Sequence, residues 1–139
     1  MRKKAFTLVE LLIVVIILGI LAAVVIPQFS DASTEARESS LATNLATIRG
    51  QIELYRLQHN GNYPPEANFD TVMTSKTNAD HTTTGTPTLG PYLQRIPNNP
   101  FTNTNNVVNT GTPASTTAWY YNAATGTFQA FDTVAHSNL

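Results

Sequence analysis

One carboxylate, Glu10, stands inside a run of apolar residues and is the only acid before Ser30. A charge at the centre of a membrane-spanning helix costs on the order of 3 kcal/mol by insertion scales, so a carboxylate in such a place needs a compensating interaction. Two are open to it. One turn into a helix it can reach a polar interface and the positive end of the helix dipole; alternatively it can meet a cationic partner. The other reactive side chains are scattered. His59, His81 and His136 fall at a helix end, in a threonine-rich loop and near the C-terminal end, and none is spaced with another His or an acid as a zinc site requires. His59 reads as a cation favoured near a helix C-terminus. Cysteine is absent, which excludes disulfides and thiolate metal sites. Neither a GxSxG elbow nor a phosphate-binding glycine loop is present. The residues point away from an enzyme.

The surroundings of Glu10 narrow the class. Arg2, Lys3 and Lys4 precede 21 residues, Phe6 to Ile26, interrupted only by Thr7 and Glu10, and from Leu11 to Ile26 there is no polar side chain. A secretory signal peptide needs a shorter apolar region and a small-x-small cleavage site. The positions near Leu21, Ala22 and Ala23 each put a large residue where a small one is required. A transmembrane helix needs roughly 20 mostly apolar residues, which this run supplies. The basic cluster then stays in the cytoplasm and everything after Pro27 lies on the far side. The formal net charge of −1 shows no basic excess for nucleic acid. Charged residues make up 12% of the chain, about half the usual share.

Ala5-Phe6-Thr7-Leu8-Val9-Glu10, continued by Leu11-Leu12-Ile13-Val14-Val15, Gly19-Ile20-Leu21-Ala22-Ala23 and Pro27, resembles the processing and assembly motif of type IV prepilins. The resemblance implies that residues 1–5 are a leader removed by a prepilin peptidase, that Phe6 becomes the N-methylated first residue, and that Glu10 pairs with the new α-ammonium of a neighbouring subunit. The family usually ends its leader with Gly; here Ala5 stands there.

Beyond the apolar run, Leu41, Leu45, Ile48, Ile52 and Tyr55 recur at spacings of four and three, an apolar helical seam; Leu54 and Leu57 are expected to widen it. Asn60-Gly61 and Pro64-Pro65 supply the stop, so one helix of about 80 Å is expected from Phe6 to near His59. Pro27 lacks an amide hydrogen and Gly19 weakens the helix earlier. Their segment reads either as a membrane-exit kink or, as the family implies, as a weak point that melts during assembly.

The expected fold is α+β: a long N-terminal helix, its second half packed on a small antiparallel sheet, as in the pilin fold. Residues 6–29 form the membrane half and residues 30–139 the head. The head comprises the rest of the helix (30–60), a loop region (61–100) with residues 66–90 largely irregular, and a C-terminal sheet (101–139). Trp119-Tyr120-Tyr121 and Thr127 to Phe131 read as a hairpin around the loop from Asn122 to Gly126. Trp119 and Tyr121, with Phe128 or Phe131, are expected to face the seam.

Asn62-Tyr63-Pro64, Tyr92-Leu93, Ile96-Pro97 and Pro100 are similar to the major pseudopilins of type II secretion systems. That likeness implies a periplasmic filament that helps export folded proteins across the outer membrane. Its expected partners are further copies of the chain in a helical homopolymer, minor pseudopilins, an inner-membrane assembly platform and, before assembly, membrane lipid. The expected location is the inner membrane, crossed once with the N-terminus in the cytoplasm and the head in the periplasm. A surface pilus subunit for adhesion, motility or DNA uptake and a membrane-anchored binding module are the alternatives. Major pseudopilins typically hold calcium through acids of the C-terminal loops. Residues 101–139 offer one acid, Asp132, beside the neutral oxygens of Asn103, Asn105 and Asn106, so a weak calcium site or none is expected.

Overall fold

The computed structural model describes residues 6–139. Its principal element, α1, runs from Leu8 to Gln58, 51 residues without interruption, through both Gly19 and Pro27. The chain divides into two compact units at Ala36/Arg37. In the first, α1 exposes every described side chain from Phe6 onward, including a stretch long and apolar enough to cross a membrane.

In the second unit the seam is internal. Leu41, Leu45, Ile48, Ile52 and Tyr55 are all at most 1% exposed, and burial of one such side chain is worth about 1.5–3 kcal/mol. Leu54 and Leu57 do not extend it. They are 40% and 79% exposed, because they fall on the helix face turned away from the heptad-like positions.

The C-terminus of α1 closes as Asn60 and Gly61 foretold. Asn60 adopts φ 57° and Gly61 φ 86°. The amide of Gly61 donates to the Arg56 carbonyl at 2.9 Å, the six-to-one bond of a Schellman cap.

Residues 66–90 hold more order than their composition suggested. A 3₁₀ turn at Glu66–Asn68 leads into α2, Phe69–Thr74. Phe69, Val72 and Met73, spaced three and four apart, are buried on one face. The sheet has order β1-β2-β3, with β1 at Val107–Val108, β2 at Trp119–Asn122 and β3 at Thr127–Ala130. β2 and β3 form the expected antiparallel hairpin, Trp119 opposite Ala130 and Tyr121 opposite Phe128. β1 joins parallel to β2 and makes the sheet mixed rather than purely antiparallel. The irregular stretch between β1 and β2 carries the chain back to the start of the sheet before the second strand begins.

Alternation puts Trp119, Tyr121, Phe128 and Ala130 on the buried face with the seam. Phe128 therefore takes the core place for which Phe131 was the other candidate. Phe131 lies beyond β3, its ring 5.1 Å from that of Tyr120. At the hairpin loop, Gly126 has φ 72°, and any side chain there would collide with the ring of Tyr63.

Candidate functional site

The first turn of α1 contains the clearest arrangement of functional groups in the apolar half. Leu8 is the first helical residue, so Thr7 is the N-cap and Glu10 the third position. The Glu10 amide donates to Thr7 Oγ1 at 3.2 Å, while Glu10 Oε2 accepts from the Thr7 amide and from Thr7 Oγ1, both at 3.4 Å. This is a capping box. Two helix-end donors that would otherwise face an apolar medium gain partners, and the carboxylate lies at the positive end of the dipole.

The pattern Thr-x-x-Glu before an apolar run was readable in the sequence. Glu10 reads first as a charge needing a distant or interfacial partner, and its local partner Thr7 is hidden by that reading. Phe6 is 73% exposed immediately before this turn. Gly19 and Pro27 lie further along α1 and do not join the cluster; an added Cβ at Gly19 would meet nothing within 4 Å. Ala5 and the leader at residues 1–5 lie outside the described residues.

A second polar cluster sits at the other end of α1. His59 is at the helix end, as expected, but it is fully buried. Its Nδ1 donates to the Tyr55 carbonyl at 2.9 Å, and its Nε2 lies 3.0 Å from Thr77 Oγ1. The ring is thus enclosed in the head rather than displayed at an exposed helix terminus. His81, in the left-handed region at φ 68°, brings Nδ1 to 2.6 Å from the Tyr55 hydroxyl. Burial, and then the neighbouring His59, push His81 below its usual value, against an opposing contribution from Asp80.

The asparagines of the C-terminal loops serve hydrogen bonds within the head. Asn106 Oδ1 accepts from the Ala118 amide and Thr104 Oγ1, both at 3.0 Å, and Asn105 donates to the Ile96 carbonyl at 3.4 Å. Among the described residues no group of three or more His, Cys, Asp or Glu side chains is placed to hold a metal ion.

Comparison with known proteins agrees with this architecture. The family model for the prokaryotic N-terminal methylation motif matches residues 1–26. The model described as type II secretion system (T2SS), protein G, matches residues 28–124, more than half of the chain. The chain belongs to the type II secretion system protein G family. Its relatives include the type II secretion system core protein G of Vibrio cholerae, 31% identical over 74% of this chain and 69% of the relative. That of Klebsiella pneumoniae is 29% identical over 72% and 70%. The type IV narrow pilus major component of Thermus thermophilus is 38% identical over 44% of this chain and 53% of the relative. No solved structure matches significantly. As a protein G family member the chain joins a methylation-motif N-terminus to a pilin-like α+β head.

Proposed function

We propose that this chain is the repeating structural subunit of a type II secretion pseudopilus, polymerising through the first half of α1 to help export folded proteins across the outer membrane. The observation that carries the proposal is the pairing of a protein G domain over residues 28–124 with a methylation motif over residues 1–26, on a helix whose first half exposes its apolar side chains. Within one subunit that surface has no partner, so lipid and then other subunits must cover it.

In this reading the leader is cut between Ala5 and Phe6 by a prepilin peptidase, and Phe6 is N-methylated. The subunit waits in the inner membrane, its N-terminus at the cytoplasmic face and its head in the periplasm, until an assembly platform moves it, with minor pseudopilins, into a filament. While it waits, Glu10 is held by Thr7. In the filament the carboxylate exchanges that partner for the α-ammonium of the next subunit, which avoids leaving either charge bare in a medium of low dielectric. Gly19 and Pro27 bound the part of α1 best able to stretch during the move.

A surface pilus subunit is the second reading, favoured by the similarity to the narrow pilus component of Thermus thermophilus. Deleting the gene and scoring exoprotein secretion and surface filaments side by side separates the two. Loss of secretion with filaments intact supports the pseudopilus; loss of filaments with secretion intact supports the pilus.

A further inference from the structure

Asn99, Asp132 and His136 form a cluster that helix-mediated assembly leaves unused. Asn99 is fully buried and every polar group it has is engaged. Its amide donates to Thr104 O and its carbonyl accepts from the Asn103 amide, both at 2.8 Å. Its Oδ1 accepts from the Phe101 amide at 2.9 Å, and its Nδ2 donates to Ala118 O at 3.1 Å and to Asp132 Oδ1 at 3.0 Å. Asp132, 4% exposed, accepts on its other oxygen from His136 Nδ1 at 2.6 Å. The His136 ring rests against Phe101 with centroids 4.4 Å apart. Nearby, Arg49 of α1 donates to the carbonyls of Phe128 and Leu139, both at 2.9 Å. The loop around residues 97–106, the start of β2 and the C-terminal residues are thereby tied together.

The chemistry of these donors decides what they can hold. Calcium takes six to eight oxygen ligands with free lone pairs. Here the one acid of residues 101–139 has each oxygen aimed at an N–H group, and nitrogens bearing hydrogens repel a cation. A buried carboxylate is stable when such donors surround it.

We propose that Asn99, Asp132 and His136 form a metal-independent clasp that closes the C-terminal part of the head, in place of the calcium expected of major pseudopilins. The head then reaches its full stability in media without divalent cations.

Trp119, the single tryptophan and fully buried, reports head unfolding by fluorescence in the full chain held in detergent micelles. The wild-type melting midpoint is expected to agree within about 1 °C between EGTA and about 1 mM calcium, a concentration that fills weak extracellular sites. His136→Ala is expected to lower the midpoint by about 4–8 °C in both media. His136→Asn, which restores an N–H donor near the Nδ1 position, is expected to recover much of that loss. A wild-type midpoint several degrees higher in calcium overturns the proposal, whatever the variants do. So does a His136→Ala chain that melts with the wild type.

Discussion

The imidazole of His59 lies flat on the ring of Tyr55, with centroids 3.7 Å apart and planes 4° from parallel. His81 lies beside this pair, its ring centroid 5.2 Å from that of His59 and 5.7 Å from that of Tyr55, and Tyr92 meets Tyr55 edge-on at 5.0 Å. Burial, followed by the proximity of Tyr92, raises the Tyr55 phenol well above its usual value. It therefore keeps its proton, and its hydroxyl shares a hydrogen bond with His81 Nδ1 at 2.6 Å.

The lowered value of His81 gives the stack a pH dependence. His81 has its folded-state value below the unfolded value of about 6.5. A depressed base contributes stability that is complete above the unfolded value and is lost as pH falls from there toward the folded value. The midpoint of head unfolding, followed by Trp119 fluorescence, is therefore expected to decline as pH drops below about 6.5. His81→Gln should flatten this decline; an unchanged slope would remove His81 from the account.

Processing at the leader changes mass and charge together. Cutting before Phe6 removes Arg2, Lys3 and Lys4 and takes the formal charge from −1 to −4. Intact mass spectrometry of the membrane-bound form should give a chain beginning at Phe6 with one added methyl group. Recovery of the full-length chain alone, from a host with active prepilin peptidase, would locate the fault at Ala5.

Glu10 separates the cost of insertion from the needs of assembly. Replacing it by Gln or Leu removes a charge from the apolar run, so membrane insertion should be at least as efficient as in the wild type. Filament yield should fall sharply, because the Phe6 ammonium loses its counter-charge on leaving the lipid. Sheared filaments measured against total membrane-bound subunit test both halves, and normal filaments from Glu10→Leu would refute intersubunit pairing.

A chain beginning at Asp31 omits the apolar run but retains the seam, the sheet and α2. It should be soluble and monomeric by light scattering. Aggregation or lack of a cooperative melt would mean that the head depends on the first half of α1.

The seam and the outer leucines of α1 should respond differently to the same truncation. Ile48→Ala opens a cavity in a buried position and is expected to cost about 2–5 kcal/mol. Leu57→Ala, on the exposed face, should stay within about 0.5 kcal/mol. Denaturant unfolding of the Asp31 chain measures both.

The sequence made its long-range elements legible wherever one period held for several turns. The seam from Leu41 to Tyr55, the cap at Asn60-Gly61 and the alternation of Trp119, Tyr121 and Phe128 all lie where spacing predicts them. β1 was illegible because two residues, Val107 and Val108, cannot display an alternation. α2 was obscured by flanking Pro, Asn and Thr, although Phe69, Val72 and Met73 carried a helical spacing. Glu10 stood out as a charge while its partner Thr7, polar but unremarkable in composition, did not. The Asn99–Asp132 contact joins residues 33 positions apart, a separation across which no local pattern carries information.

The neutral character of the bonds around Asn106 and Thr117 has a consequence for how the head responds to salt. Salt shortens the range of interactions between charges, to about 8 Å at physiological ionic strength, but leaves hydrogen bonds between amides and hydroxyls nearly untouched. Among the described residues one Arg–carboxylate pair occurs, the exposed Arg56–Glu53; the other acid–base contact, His136–Asp132, is charged on both sides only when the imidazole is protonated. Head stability is therefore expected to change little with ionic strength.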